Sequence, residues 1–407
     1  MRTRFVWPLP AIVGLALWAL PALGQERMLT LEGALDLARE RGAGVALAQG
    51  RVEEARARQG QAARRFQENP ALEVNGGYRR AEEDHLDFEA ALSQDLYTGR
   101  TREARLAGTR AAFERAEAEL EDARRLLLRE VWTTFARAAV AGDRVTLVAR
   151  SRQAADELLA ASERRYEAGE ATALELNRAR TAAATARAEQ SGAEAERDAA
   201  LAELKALLGL AAGEAVTVRK MELRPPLELD VLLAGLDRRP DLRALAAELR
   251  EAEAEVLLGR SLARPGLGVR GGLAREEGAE IITAGVVVTL PVHNRGQETV
   301  AVGEARAAAL RQALETARAA AAAEVRGQHS ALSRRLAAVR ELEQTALPAL
   351  DDNESLALKS FDAGEIDLGE LLLIRREILE TRLAHLERLL EAALTRFELE
   401  AAAGALP

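Results

Sequence analysis

Two hydrophobic periods alternate along this chain. From Thr30, apolar residues recur at helical spacing (Leu31, Ala34, Leu35, Ala38), break at the glycine-rich stretch 42–44, and resume in an Ala/Arg/Glu-rich run reaching Asn69-Pro70. The period then becomes two. Leu72, Val74, Gly76 and Tyr78 alternate with Glu73, Asn75 and Gly77. After a polar stretch, 79–85, that reads as a loop, Phe88, Ala90, Leu92 and Leu96 alternate with Asp87, Glu89, Ala91, Ser93 and Asp95. Such alternation predicts strands with one apolar face and one acidic or small face. Past Thr98-Gly99 the helical period returns and runs unbroken to about Arg165, a rod on the order of 100 Å at 1.5 Å per residue. A short turn, RYEAGE at 165–170, leads into a return helix from about Thr172 to Leu208.

The programme then repeats. PGLGVRGG at 265–272 aligns with PALEVNGG at 70–77, and SFDAGEIDLGEL at 360–371 aligns with RYEAGEATALEL at 165–176, both at an offset of 195 residues. One offset shared by strands and tip marks an internal duplication. Ile282, Ala284, Val286, Val288 and Leu290 form the apolar side of a fourth strand, and a second long helix starts near Gly296, bent or interrupted at Pro348. Glycine at each tip ends a helix because it enters the left-handed region without a Cβ clash. The reading is a mainly α chain with a small β portion. A first repeat spans 25–210, with strands about 70–78 and 87–97 and a tip about 167–173. A connector at 211–228 precedes a second repeat, 229–404, with strands about 265–274 and 281–291 and a tip about 362–368.

Composition agrees with long helices, since only 3% of the 407 residues are aromatic and Ala, Leu, Arg and Glu dominate. A formal charge of −9 argues against a nucleic-acid partner. The absence of cysteine excludes disulfides, thiolate metal sites, a cysteine nucleophile and an N-terminal lipid on cysteine. Arg2 and Arg4, the apolar run from Val6 to Leu23, and Ala22-Leu23-Gly24 read as a secretory signal over 1–24, with Pro8 and Pro10 spoiling a retained helical anchor. His85, His293, His329 and His385 lie scattered, in no HxH or HxxxH spacing, so no metal site, cofactor or catalytic constellation is expected.

Four strands with one apolar face, on a secreted chain, pose a physical problem. Their edges are open, and in a bilayer each unpaired edge group costs several kcal/mol. Several copies must share one barrel: two would give eight strands and a filled interior, three would give twelve and a lumen. The small and acidic residues Ala91, Ser93, Asp95, Gly266 and Gly268 suit a wet interior. A soluble hairpin packed on a helical bundle is the other arrangement the pattern allows.

LSQDLYTGR at 92–100, VVVTLPVHNRGQ at 286–297 and the tips RYEAGE and FDAGEIDLGELL carry a resemblance to the TolC-like outer-membrane efflux channels. The 286–297 stretch and the closing run from Leu347-Pro348 through Glu370 to Arg396 are similar to the branch serving heavy-metal (cobalt-zinc-cadmium) efflux. The resemblance implies a homotrimer: a 12-stranded barrel in outer-membrane lipid, continued by a helical tunnel across the periplasm. Its implied partners are a periplasmic adaptor (membrane-fusion protein) and an inner-membrane pump of the resistance-nodulation-division type. It further implies that Gly169, Glu170, Ala171 and Thr172, with Gly364, Glu365, Ile366, Asp367 and Leu368, meet the adaptor, and that Glu175 and Glu370 line a constriction. Leu373 stands where other members carry a second acidic residue, and both glutamates are equally the kind favoured by a helix dipole at a helix start. A periplasmic adaptor has one long hairpin rather than two, a coiled-coil scaffold leaves the signal and strands unexplained, and drug efflux or type I secretion would use the same duct.

Overall fold

The computed structural model describes residues 27–41, 45–64, 66, 68–80, 85–96, 99–220, 223, 225–276 and 279–404. The signal expected over 1–24 lies outside the described residues, as do the glycine-rich break at 42–44 and positions 81–84. In the first half, β1 (Arg27–Leu29), α1 (Leu31–Arg41) and α2 (Ala46–Ala63) precede the hairpin β2 (Ala71–Arg79) and β3 (His85–Leu96). The rod α3 (Gly99–Glu167) and its return α4 (Ala173–Leu207) follow. In the second half, β4 (Val216–Val218), α5 (Leu229–Ala234), a 3₁₀ turn (Leu236–Arg238) and α6 (Pro240–Ser261) lead to β5 (Gly266–Glu276) and β6 (Ala279–Thr289). A second rod runs as α7 (Gln297–Glu341), a π-helical turn (Leu342–Ala346) and α8 (Leu347–Asp362), and returns as α9 (Leu368–Ala402). The return helices α4 and α9 are both 35 residues long, so the duplication persists to the residue.

The sheet has the order β2-β3-β5-β6, antiparallel throughout. Register sets Leu72 opposite Leu92, Gln94 opposite Val269, and Leu273 opposite Ile282. Residues paired across a ladder share a face, so the apolar positions of all four strands form one continuous surface. That surface is bare: Leu86 and Ile282 are 81% and 82% exposed, with Leu72, Phe88, Val286 and Val288 also open. On the other face Arg270 bridges Glu73 at 3.0 Å and Glu89 at 3.5 Å, a basic member among residues that alternation alone marks as acidic or small. Among the described residues β2 and β6 each pair on one side only.

The packed core lies where the shorter helices gather round the rods. Val131, Trp132 and Phe135 of α3 meet Leu204 and Leu208, Leu35 of α1 and Phe397 of α9, with the Trp132 and Phe397 rings 3.9 Å apart. A neighbouring cluster joins Val325, Leu332 and Leu336 of α7 to Leu399 and to Leu232 of α5. Arg239, 8% exposed, closes this region by bonding Asp241 at 2.7 Å, Glu324 at 3.2 Å and the Ala402 carbonyl at 2.8 Å, so its buried charge is compensated.

Two features differ from the periodicity reading. α2 stops at Ala63 rather than near Asn69, because Arg64 turns extended and Arg102 of α3 caps the Ala63 carbonyl at 3.1 Å. The connector 211–228 contains β4, which pairs in parallel with β1 through Arg27↔Val216 to Leu29↔Val218. Such short pairs carry too few residues to show a period. The interruption expected at Pro348 is present as a π turn: Pro348 lacks an N–H and its ring displaces the carbonyl four residues back, so the chain widens, with Leu347 N–H bonded to the Leu342 carbonyl. Arg382 of α9 holds this stretch through Asp351 at 2.7 Å and Glu354 at 3.0 Å, and His385 lies 3.3 Å from Glu343. Among the described residues no helix is long and apolar enough to cross a membrane.

Phe135→Ala should cost about 3–5 kcal/mol, as for other buried phenylalanines, read as a lowered denaturant midpoint of the purified protein. Leu126→Ala, at a side chain 44% exposed, should move that midpoint far less, by no more than about 1 kcal/mol.

Candidate functional site

Both hairpins turn at a glycine with φ of 75°, Gly169 and Gly364. Around each, the same two bonds close the helix: Gly169 N–H to the Tyr166 carbonyl at 3.0 Å and Glu170 N–H to Arg165 at 2.8 Å, then Gly364 to Phe361 at 3.0 Å and Glu365 to Ser360 at 2.8 Å. This is the Schellman geometry, in which a left-handed residue lets the following N–H groups satisfy the last helical carbonyls. Beneath the turns one apolar cluster draws on all four rods: Leu158 of α3, Ala179 of α4, Ala357 of α8 and Leu368 and Leu371 of α9. The two tips are therefore one packed unit.

The return helices are capped differently. Thr172 accepts from the Glu175 N–H at 3.2 Å, and the Glu175 carboxylate accepts in return from the Thr172 N–H at 2.6 Å and hydroxyl at 3.1 Å, a complete capping box. At the equivalent place Asp367 accepts from the Glu370 N–H at 2.9 Å, but no reciprocal bond forms. A carboxylate at the cap repels a second carboxylate folding back onto it, so Glu370 extends exposed into solvent with no partner among the described residues. The bond from the Thr172 backbone N–H, helped by its hydroxyl, holds the Glu175 carboxyl below the ordinary carboxylate range.

The tip residues singled out by sequence separate accordingly. Gly169, Glu170, Thr172, Gly364, Glu365 and Asp367 are exposed, Ala171 and Ile366 are half-buried, and Leu368 at 3% exposure lies in the cluster beneath. Leu368 is thus a packing residue, not a presented one. A feature the motifs did not reveal is Arg178 of α4, which reaches across to α9: a Cβ on Gly369 would sit 2.5 Å from its guanidinium. The sole sign in the sequence is that Gly369 stands where the first repeat has Leu174. Among the described residues no group of three or more His, Asp or Glu side chains is arranged to hold a metal ion.

The family model described as outer membrane efflux protein matches residues 34–210 and 233–405, both halves of the duplication. The chain belongs to the outer membrane efflux protein family. This efflux protein is 27% identical over 303 residues to the cobalt-zinc-cadmium resistance protein CzcC of Cupriavidus metallidurans, covering 73% of this chain and 72% of that protein. Its fold is that of the outer-membrane channel OprN, with a TM-score of 0.78 at 19% identity over 92% of this chain and 90% of the other. CusC, solved in work on transmembrane channel formation, gives a TM-score of 0.76 at 18% identity, covering 92% and 91%. The chain is accordingly an outer-membrane component of an efflux system, with the fold of the outer-membrane channels.

Thr172→Ala should remove about 1 kcal/mol of local protection from amide exchange at 172–176 and leave the Gly364 tip unchanged. Because the Glu175 pKa is lowered, the box is intact above the ordinary carboxylate pKa of about 4.3. Its contribution fades as pH falls through the lowered value, so acidification of the wild type should reproduce the exchange of the variant.

Proposed function

We propose that three copies of this channel close a 12-stranded barrel and form the exit duct of a tripartite system, carrying heavy-metal cations delivered by an inner-membrane pump of the resistance-nodulation-division type through a periplasmic adaptor. The observation that carries the reading is the four-stranded sheet with one continuous apolar face and two edges that no described residue pairs, set at one end of the 69-residue rod α3 and its counterpart in the second half. Three such sheets are wide enough for a lumen, whereas two would be filled by side chains. Residues with Arg270, Glu73 and Glu89 on the other face then line the wet side. Cation cargo is supported by the name of the cobalt-zinc-cadmium resistance relative and by an acidic mature chain.

At the far end the exposed Gly169, Glu170, Gly364, Glu365 and Asp367 are the surface on which an adaptor's hairpins would rest. Glu370 is the proposed constriction residue. Its carboxylate is free to face a central axis, where three copies repel one another and attract cations. Glu175 is committed to its capping box and is assigned to holding the tip.

In planar bilayers Glu370→Ala should reduce cation preference and weaken block by divalent cations severalfold, while Glu175→Gln, which keeps the box, should leave both near wild type. Currents of Glu370→Ala indistinguishable from wild type would remove it from the constriction. In cells, loss of the protein should sensitise the host to cobalt, zinc and cadmium; sensitisation to organic compounds alone would assign the same duct to a different pump.

A further inference from the structure

About one dozen ångströms above the tips, at 1.5 Å rise per residue from Asp367 to Arg375, the two hairpins part around a cleft of about 760 Å³. One wall is made of small residues of the first hairpin, Ala154 and Ala155 of α3 with Ala182 and Ala186 of α4. Facing it are Leu372, Ile378, Leu379 and Leu383 of α9. Helical interiors normally close-pack, and a space of this size falls within the ~300–1,000 Å³ of small-molecule sites. Here the alanines are too short to meet the leucines.

The charges of the cleft are unevenly matched. Arg376 is paired with Glu380 at 2.7 Å, and Arg382 with Asp351 and Glu354. Arg375 has no carboxylate within ion-pair distance among the described residues: one guanidinium nitrogen donates to the Ala154 carbonyl at 3.1 Å, and its Nε is buried without a partner. Burial accordingly lowers its pKa, against more distant attraction from Glu354 and Glu157. Arg150 at the rim is exposed and also lacks a partner among the described residues, leaving Glu189 as the one carboxylate of the lining without an ion pair. A half-buried guanidinium missing its anion, beside an apolar wall, is the complement of a carboxylate or sulfonate on a hydrocarbon tail.

We propose that this cleft binds one amphipathic organic anion per chain, its head on Arg375 and its tail between the alanines of the first hairpin and the leucines of α9. Such a ligand lies between the two hairpins just behind the tips, so it fixes their separation and with it the conductance of the duct. The site does not depend on which substrate is exported.

The test is titration calorimetry of the full-length protein in zwitterionic lipid nanodiscs with decanoate, with empty nanodiscs subtracted and decyltrimethylammonium as the cation of matched tail. Saturable decanoate binding near one per chain is expected, weakened about tenfold or more by Arg375→Met, weakened likewise by Ala155→Leu, which projects a larger side chain from the alanine wall into the place of the tail, and unchanged by Glu370→Ala. Decyltrimethylammonium should give no saturable heat. Decanoate should also alter wild-type conductance and leave that of Ala155→Leu unaltered. Equal binding of anion and cation, or decanoate binding indifferent to either substitution, would overturn the proposal. So would silence of the wild type. If Arg375→Met fails to assemble, Ala155→Leu alone decides.

Discussion

Two strand edges without neighbours among the described residues, on a sheet whose apolar face is bare, are the constraint on which the rest of the molecule depends. Backbone N–H and C=O groups at β2 and β6 cannot stay unpaired in hydrocarbon, and leucines at more than half exposure cannot stay in water at no cost. Within a single chain the described helices offer no cover for the edges or the face, because their apolar stripes are already spent on the core among α1, α3, α4 and α9. Closure by further copies would pair the edges and leave the apolar face to lipid, and it would align the rods around the same axis.

The duplication gives that arrangement its regularity, and its departures from symmetry give the molecule its asymmetry. Both tips share a Schellman turn and a cluster beneath them, yet one return helix is held by a reciprocal Thr172–Glu175 box and the other by Asp367 alone. That one substitution of cap residue decides what each glutamate can do. A threonine hydroxyl accepts a neighbour's N–H and leaves the carboxylate welcome; an aspartate occupies the same place with charge and turns Glu370 outward. The second rod also carries the π turn before Pro348, where α3 runs as unbroken helix.

Much of this architecture was legible because long elements advertise their period. Rods of 69 and 45 residues repeat their apolar stripe many times, and strands of nine to twelve residues alternate often enough to be read. The three-residue pairing of β1 with β4 was invisible for the opposite reason, as was the stop at Ala63, which is imposed by Arg102 from a distant helix. At the tips, glycine and the Thr-x-x-Glu spacing were readable, whereas the free state of Glu370, the burial of Leu368 and the crossing of Arg178 over Gly369 follow from packing between hairpins that no local pattern encodes.

The claim that sister copies complete the sheet is open to one direct measurement, since the chain has no cysteine of its own. Thr283→Cys on β6 is combined in turn with Glu73→Cys, Asn75→Cys or Gly77→Cys on β2, all on the face that carries Arg270. Oxidised membranes are then run on a denaturing gel. Cysteines bridge only when their Cα atoms lie within about 7 Å, so the account predicts that one of the three pairings yields a ladder ending at three linked chains. Monomer alone at every pairing, from a protein recovered in the water-soluble fraction, would contradict it.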